Sequence, residues 1–320
     1  MKICVVGAGA IGGWIAAKLA IAGEPVTILA RGDTLRLARA EGIRLEENGE
    51  EFVGVITAAD RAQAIGEQDL VIIAVKAPAL PALASELRPL IGANTIVVPM
   101  LNGVPWWFVA EPLRSIDPDG SIAAALPADR VVGCVVHASC SRSAPNRILV
   151  KHADKLIIGE PDGTSSERVA RLFALLDGAG LRPDATGNVR RAIWYKLWGN
   201  ATINPLSALT RATADQILDN PECRAWMLDG MAELAAIGAA IDCPISESGE
   251  DRMKVTARLG VFKTSMLQDV EAGRPIELEA LLGAPREIAR RHRIETPALD
   301  RLYGVTKLMA ESLGLLARSS

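Results

Sequence analysis

The 320-residue sequence is poor in the residues that build metal sites and disulfide frameworks. It has only three histidines, His137, His152 and His292, and no ligand-like spacing joins them with the cysteines. We therefore expect no metal site. The five cysteines are an odd number and form no Cys-x-x-Cys pair. This favours buried, reduced thiols in a cytoplasmic protein over a disulfide framework.

Long basic and long apolar runs are also missing. The formal net charge is -3, and without a basic cluster we expect no nucleic-acid partner. No uninterrupted apolar stretch reaches the roughly eighteen residues of a membrane helix, so we expect no membrane association. Glycines interrupt the apolar start of the chain, unlike a secretion signal. Hydrophobic residues make up 49%, a globular composition, and the length suits two domains.

What the sequence does contain, at its very start, is the pattern of a βαβ unit. A β-branched run, Lys2 to Val6, precedes a glycine-rich turn, a helical pattern from Trp14 to Ala22, and a second apolar run from Pro25 to Ala30. The turn reads Gly7-Ala8-Gly9-Ala10-Ile11-Gly12. A Gly-x-Gly-x-x-Gly turn between a strand and a helix predicts dinucleotide binding.

Each glycine of the turn has a separate predicted task. Gly7 permits the tight turn, Gly9 lets the backbone approach a pyrophosphate, and Gly12 lets the helix pack closely on the strand. The N–H groups at the start of the helix would then bind the phosphates. A glycine-rich turn without a ligand is the alternative interpretation.

The residue at the end of the second strand indicates the coenzyme. Enzymes that use NAD place an acidic residue there for the ribose hydroxyl, but this chain has Arg31. A guanidinium can bind the 2′-phosphate of NADP in a fork, which favours NADPH. An ordinary surface cation is the alternative for Arg31, and the nearby Asp33 keeps NAD open.

Two further strands end on polar residues. The apolar run Asp69 to Val75 leads to Lys76, and the run Thr95 to Leu101 leads to Asn102. Because ligands bind at the carboxyl ends of such strands, both residues are candidates for the coenzyme or substrate. A solvated lysine and a plain Asn-Gly turn are the alternatives.

From about Val189 the apolar period becomes helical and stays so. We therefore predict an α/β protein in which a Rossmann-type doubly wound sheet domain (1–187) precedes an all-α domain (188–320). The helical domain would bind substrate in an interdomain cleft.

Lys196, Asn200 and Asn204 fall on one stripe of the first long helix, among apolar and aromatic neighbours. A desolvated lysine there could donate a proton, whereas a snorkelling lysine with turn-capping asparagines is the alternative.

Taken together, these motifs resemble the ketopantoate reductase (2-dehydropantoate 2-reductase) family over nearly the whole chain. The matching segments, in order, are Gly7 to Gly12, Arg31, Val75-Lys76-Ala77, Leu101-Asn102-Gly103, Trp194 to Leu197 with Asn200, Ile203 to Leu206, Thr264 to Asp269, and Ile276-Glu277.

The resemblance implies roles for the matching residues in the NADPH-dependent reduction of a 2-keto acid, most simply ketopantoate to pantoate. Lys196 is similar to the family's general acid, and Glu277 to the acid that binds the substrate hydroxyl region. Ser265 resembles the serine near the substrate carboxylate. Asn102 and Lys76 resemble the pair near nicotinamide and substrate, and the implied substrate contacts include Asn200 and Asn204.

Two departures from the family pattern leave the substrate open. Phe262 stands where an asparagine is frequent, and Leu282 replaces a polar residue. A more apolar pocket would suit a branched or aromatic 2-keto acid, as in related 2-hydroxyacid dehydrogenases.

Two rival functions remain open: a β-hydroxyacid dehydrogenase and a non-catalytic NADPH-binding regulatory protein. The apolar helix from Leu302 to Leu316 could pack within its domain or form a homodimer.

Overall fold

The computed structural model describes residues 1–316, which divide into two compact units. The first unit contains residues 1–76, 80–101 and 120–189. The second contains 77–79, 102–119 and the described residues from Arg190 onward. Two short segments from the first half of the chain therefore belong to the helical unit, while the linear boundary between 187 and 188 stays a prediction.

The first unit contains both helices and strands. Their bounds are β1 (Ile3–Val6), α1 (Ala10–Ile21), β2 (Val26–Leu29), α2 (Gly32–Glu41), β3 (Ile43–Glu47), β4 (Glu50–Gly54), β5 (Thr57–Ala59), α3 (Ala62–Ile65), β6 (Leu70–Ile73), α4 (Leu80–Leu87), β7 (Ile96–Pro99), α5 (Ser121–Ala125), β8 (Gly133–Ala144), β9 (Arg147–Gly159), α6 (Glu167–Gly178) and β10 (Pro183–Ala185).

The second unit contains helices and no strand among its described residues from Arg190 onward. Its helices are α7 (Val189–Thr210), which begins one residue earlier, α8 (Ala214–Asp219), α9 (Pro221–Ala240), α10 (Gly249–Ala257), α11 (Ser265–Glu271), α12 (Ala284–Arg291) and α13 (Pro297–Ser312). A π-helical turn, Glu279–Gly283, leads into α12.

A five-stranded parallel sheet carries the predicted βαβ unit and confirms the Rossmann-type fold. Its order is β5-β2-β1-β6-β7, so β1 lies at the centre and pairs in register with β2 and β6. The strands β1, β6 and β7 are buried along their whole length, as continuous apolar runs require in a parallel sheet. The chain order reverses at β1, so its carboxyl end lies at the point where such folds bind dinucleotides.

A second sheet of the first unit joins strands that the sequence suggested only in part. Residues 42–56 alternate between apolar and polar side chains, a pattern that predicts a hairpin, and the antiparallel pair β3 and β4 confirms it. The sequence pattern over 147–150 and 155–158 predicts two separate strands, but these residues form one strand, β9, which pairs along its length with β8. Register shifts interrupt that pairing at three points, and these bulges explain why the apolar alternation breaks in the sequence.

The helical unit differs in detail from its predicted periodicity. The apolar residues over 252–271 recur at helical spacing, which predicts one helical stretch, but α10 ends at Ala257 and α11 starts at Ser265. Gly260 between them has a φ of +68°, a left-handed conformation that stops the first helix. Thr264 then caps α11 by accepting a hydrogen bond from the Leu267 amide at 3.2 Å.

All five cysteines are free thiols, and Cys4, Cys134 and Cys243 are buried. Burial raises the pKa of Cys4, and also that of the partly buried Cys140, to about 12, so these thiols stay protonated at neutral pH.

Over residues 1–316, no helix is both long and apolar enough to cross a bilayer. Within the same range, no cluster of three His, Cys, Asp or Glu side chains could hold a metal ion.

Candidate active site

The glycine turn after β1 has the geometry that its three glycines predict. Gly7 has a φ of +90°, and a Cβ there would lie 2.7 Å from the Cγ1 atom of Val75. A Cβ on Gly12 would overlap the carbonyl oxygen of Gly7, because α1 begins directly against the turn. A Cβ on Gly9, in contrast, would have no heavy atom within 4 Å. The space above Gly9 is therefore open to a ligand, whereas Gly7 and Gly12 are needed for the packing of the chain itself.

The start of α1 is suited to bind phosphate groups. Gly9 is the N-cap residue, so no side chain satisfies the first N–H groups, and no acidic residue lies in the first turn. These N–H groups and the helix dipole attract anions. Together with the open space at Gly9, this arrangement fits the pyrophosphate of a dinucleotide.

A cavity of about 410 Å³ lies at the carboxyl end of β2, where Arg31 was predicted to read the coenzyme. Arg31 is the N-cap residue of α2, and its Nη2 atom forms an ion pair with Glu86 at 2.5 Å. The lining residues are Arg31, Gly32, Leu35, Asp60, Arg61, Gln63 and Glu86. A phosphate in this cavity would meet two guanidinium groups, which fits the 2′-phosphate of NADPH.

In the second unit, a chain of hydrogen bonds joins three of the predicted site residues. The Lys196 ammonium donates to the side-chain oxygen of Asn102 at 2.9 Å. The Asn102 amide nitrogen donates to Glu277 at 3.2 Å, and the Ala77 backbone N–H donates to the other Glu277 oxygen at 3.4 Å. A cation, an amide and a carboxylate thus stand in a row, with the carboxylate only 7% exposed.

The aromatic residues of α7 hold the helix that carries Lys196. The indole N–H of Trp194 donates to the carbonyl of Leu234 at 3.1 Å, and that of Trp198 donates to Met231 at 2.8 Å. Both rings are buried, and both acceptors lie on α9. Because these contacts fix the rotation of α7 about its axis, they also fix the direction of the lysine stripe.

Gly103 and the π-helical turn position the other two members of the row. Gly103 has a φ of +80°, and a Cβ there would collide with the backbone of Ala280. The next residue, Val104, donates its backbone N–H to the Ala280 carbonyl at 2.9 Å. Glu277 directly precedes this helical segment. The close backbone approach therefore brings Asn102 to Glu277, and it requires glycine at position 103.

The remaining predicted residues lie on other parts of the two units. Asn200 and Asn204 follow Lys196 along α7, and Asn204 is only 5% exposed. Ser265 is the first residue of α11 and is exposed. Lys76 follows β6 in the first unit and is partly buried.

The two departures from the family pattern differ in exposure. Leu282 has no exposed surface, whereas Phe262 is partly exposed. Phe262 alone therefore presents an apolar surface that a substrate could contact.

Comparisons with known proteins agree with these motifs over both halves of the chain. A family described as "Ketopantoate reductase PanE/ApbA" matches residues 3–163, and its C-terminal counterpart matches 188–310. A 2-dehydropantoate 2-reductase of Mesorhizobium japonicum is 40% identical over 98% of this chain and 99% of its own length. The chain belongs to the ketopantoate reductase family.

Solved structures of the family share the whole architecture. A candidate ketopantoate reductase from Ralstonia solanacearum MolK2 is 48% identical, with a TM-score of 0.94 over 98% of this chain and 99% of that one. The 2-dehydropantoate 2-reductase of Methylococcus capsulatus is 30% identical, with a TM-score of 0.85 over 100% and 99%. The order of motifs along the sequence therefore reflects common ancestry with these reductases.

Sequence reasoning missed three groups of the site. The Ala77 N–H that binds Glu277 belongs to the backbone, which a residue motif does not show. Arg61 follows β5, a three-residue strand too short to recognise from its pattern. Glu86 lies on α4 and reaches the cavity only through the fold. A search for charged residues after every strand would have found Arg61, but not the other two.

Proposed function

We propose that this protein reduces 2-dehydropantoate (ketopantoate) to pantoate with NADPH. The glycine turn and the start of α1 bind the pyrophosphate, and Arg31 binds the 2′-phosphate. Lys76 and Asn102 lie near the nicotinamide and the substrate. Ser265 binds the substrate carboxylate, with Asn200 and Asn204 lining the same site.

The side chains of the second unit supply the proton for this reaction. NADPH, when bound, supplies a hydride to the carbonyl carbon of the keto acid. The Lys196 ammonium donates a proton to the carbonyl oxygen as negative charge develops there, and solvent later restores that proton. The proton and the hydride together convert the ketone to the hydroxyl of the product.

Asn102 and Glu277 prepare the lysine for this step. The Asn102 oxygen accepts one ammonium hydrogen and so aims the others. Glu277 holds the amide in that orientation and also orients the product hydroxyl. The hydrogen-bonded row Lys196–Asn102–Glu277 is the observation that supports the proposal most directly, because it joins an ammonium group, an amide and a carboxylate in a member of this family.

The decisive test follows NADPH oxidation with purified protein and a panel of 2-keto acids that includes ketopantoate. The wild type should turn over ketopantoate. Lys196→Met should lower kcat by about 10²–10⁴-fold, the usual contribution of a general acid, while NADPH still binds. Lys155→Met, which removes a surface lysine paired with Asp184, serves as the control and should keep full activity. Wild-type turnover in the Lys196 variant would remove the lysine from the mechanism.

The same panel tests a second candidate, a reductase for branched or aromatic 2-keto acids. The exposed part of Phe262, where the family is frequently polar, favours this candidate. A higher kcat/KM with a branched or aromatic keto acid than with ketopantoate would select it. Preference for a 3-keto acid would instead indicate a β-hydroxyacid dehydrogenase, and NADPH binding without any turnover would indicate a regulatory protein.

We further propose that the protein is cytoplasmic and forms a homodimer. On α13, Leu302 is buried, whereas Val305 is 44% and Leu308 67% exposed. Apolar side chains on the outside of this helix support contact with a second copy of the chain.

A further inference from the structure

The cavity at the end of β2 has an unusual balance of charge for a phosphate site. Its lining contains two guanidinium groups, on Arg31 and Arg61, and two carboxylates, on Asp60 and Glu86. Their formal charges cancel. A site that selected strongly for the 2′-phosphate of NADPH would present a net positive charge, because the phosphate carries close to two negative charges.

One of the two carboxylates is already paired with Arg31, the arginine expected to bind the phosphate most directly. Glu86 binds the Arg31 guanidinium at 2.5 Å, through the Nη2 atom that a phosphate could also use. The Arg31 side chain is 64% exposed and the Glu86 side chain 50% exposed. An ion pair this exposed is weak and can open, so it competes with a ligand without blocking it.

NADPH and NADH differ only by the 2′-phosphate, so a group that competes for Arg31 acts on one coenzyme and not on the other. We propose that Glu86 is a coenzyme-selectivity residue that weakens the preference for NADPH and keeps NADH usable. This inference rests on the proposed function, because it takes the cavity as the 2′-phosphate site of the coenzyme.

The charges give the direction of the effect. When the 2′-phosphate binds Arg31, Glu86 loses its partner and faces the phosphate as a like charge. Both changes cost binding free energy for NADPH, and neither arises with NADH. Arg61 offsets part of this repulsion as the second guanidinium of the cavity. The ratio of the two dissociation constants, NADH over NADPH, therefore measures the balance between the arginines and Glu86.

The test is a titration of both coenzymes by fluorescence, without any keto acid. Glu86→Gln keeps the size of the side chain and removes its charge. The NADH-to-NADPH ratio of dissociation constants should rise about fivefold, the upper end for an exposed ion pair, and the rise should shrink at high salt. Arg31→Gln and Arg61→Gln should each lower the ratio, Arg31→Gln more strongly.

Glu41→Gln is the matched control. Glu41 also forms an exposed ion pair with an arginine, Arg44, at 3.3 Å, and it ends α2, the helix that Arg31 caps. It does not line the cavity. Its substitution removes the same charge from the same unit, so an unchanged ratio would assign the effect of Glu86 to its position.

The outcomes separate this inference from the proposed function. A ratio that stays constant or falls in Glu86→Gln overturns the inference, and so does an equal rise in Glu41→Gln. Because the titration contains no keto acid, a correct shift in the ratio supports it even if no substrate is turned over. Failure of wild-type protein to bind either coenzyme would overturn both.

Discussion

Alanine substitutions at Gly9 and Gly12 should separate coenzyme binding from folding within one six-residue turn. Both replacements add a single methyl group, and both glycines have a negative φ, so neither change forces a left-handed backbone. Only the surroundings differ. The Gly9→Ala methyl enters open space, whereas the Gly12→Ala methyl meets the carbonyl oxygen of Gly7 and lies 2.9 Å from the Cβ atom of Ala74.

The sizes of the two effects follow from these surroundings. Gly12→Ala must displace backbone, and we expect it to lower the free energy of unfolding by about 3 kcal/mol or more, the upper range for overpacking. Gly9→Ala should leave the free energy of unfolding within about 0.5 kcal/mol of wild type, since nothing is displaced. Its methyl would instead occupy the space of the pyrophosphate, which should weaken NADPH binding by about tenfold or more.

Two measurements on each variant test the reasoning. Urea unfolding, read at constant slope, gives the change in free energy of unfolding. Titration with NADPH under folding conditions gives the dissociation constant. Gly9→Ala should change only the second quantity, while Gly12→Ala should change the first.

Two results would refute this account of the turn. NADPH binding by Gly9→Ala at wild-type affinity would show that the open space above Gly9 does not receive the coenzyme. Wild-type stability of Gly12→Ala would show that α1 can move away from the turn at no cost. Gly23→Ala does not serve as a control, because Gly23 has a φ of +90° and would add backbone strain.

Two further predictions each concern a hydrogen-bonded charged group, one in each unit. Asn102→Ala removes the hydrogen bonds to Lys196 and Glu277. Because a hydrogen bond to a charged group contributes about 1.5–3 kcal/mol, kcat/KM for the keto acid should fall by about 10²-fold or more in steady-state assays. A change below threefold would contradict the positioning role of Asn102. Burial raises the pKa of Glu160, but hydrogen bonds led by that from Arg168 outweigh burial and hold the pKa below its ordinary value. The stability from this pair is therefore present at neutral pH and is lost as the pH falls through the lowered pKa. Glu160→Gln should cost about 3 kcal/mol at pH 7 and progressively less as the pH falls below the ordinary pKa of a glutamate, as measured by urea unfolding, and a difference that does not change with pH would contradict it.

Much of the fold could be predicted because its signals are local. The βαβ unit needs only an apolar run, a glycine turn and a helical period, all within about thirty residues. The stripe on α7 likewise depends on helical spacing alone. The sequence pattern failed to predict the element bounds where local geometry interrupts its periodicity, as at the bulges of β9 and at the break between α10 and α11.

The assembly of the candidate site depended on contacts between residues far apart in the sequence. Asn102 was predicted as a strand-end residue, and Lys196 as one of a helical stripe, but no periodicity connects them. They meet because Trp194 and Trp198 fix the rotation of α7, and because Gly103 allows the chain to approach Ala280 closely. Contacts of this kind do not produce a fixed spacing of residues in the sequence, so no sequence pattern predicts them.

The sequence by itself determined the nucleotide-binding fold, the family and the residues proposed to carry the chemistry, since each follows from short-range patterns. Only the tertiary structure decided that Asn102 bridges a cation and a carboxylate, and that Glu86 reaches Arg31 from a separate helix. The physical reason is that hydrogen bonds and ion pairs depend on distance in space, which for these residues is set by packing and not by position along the chain.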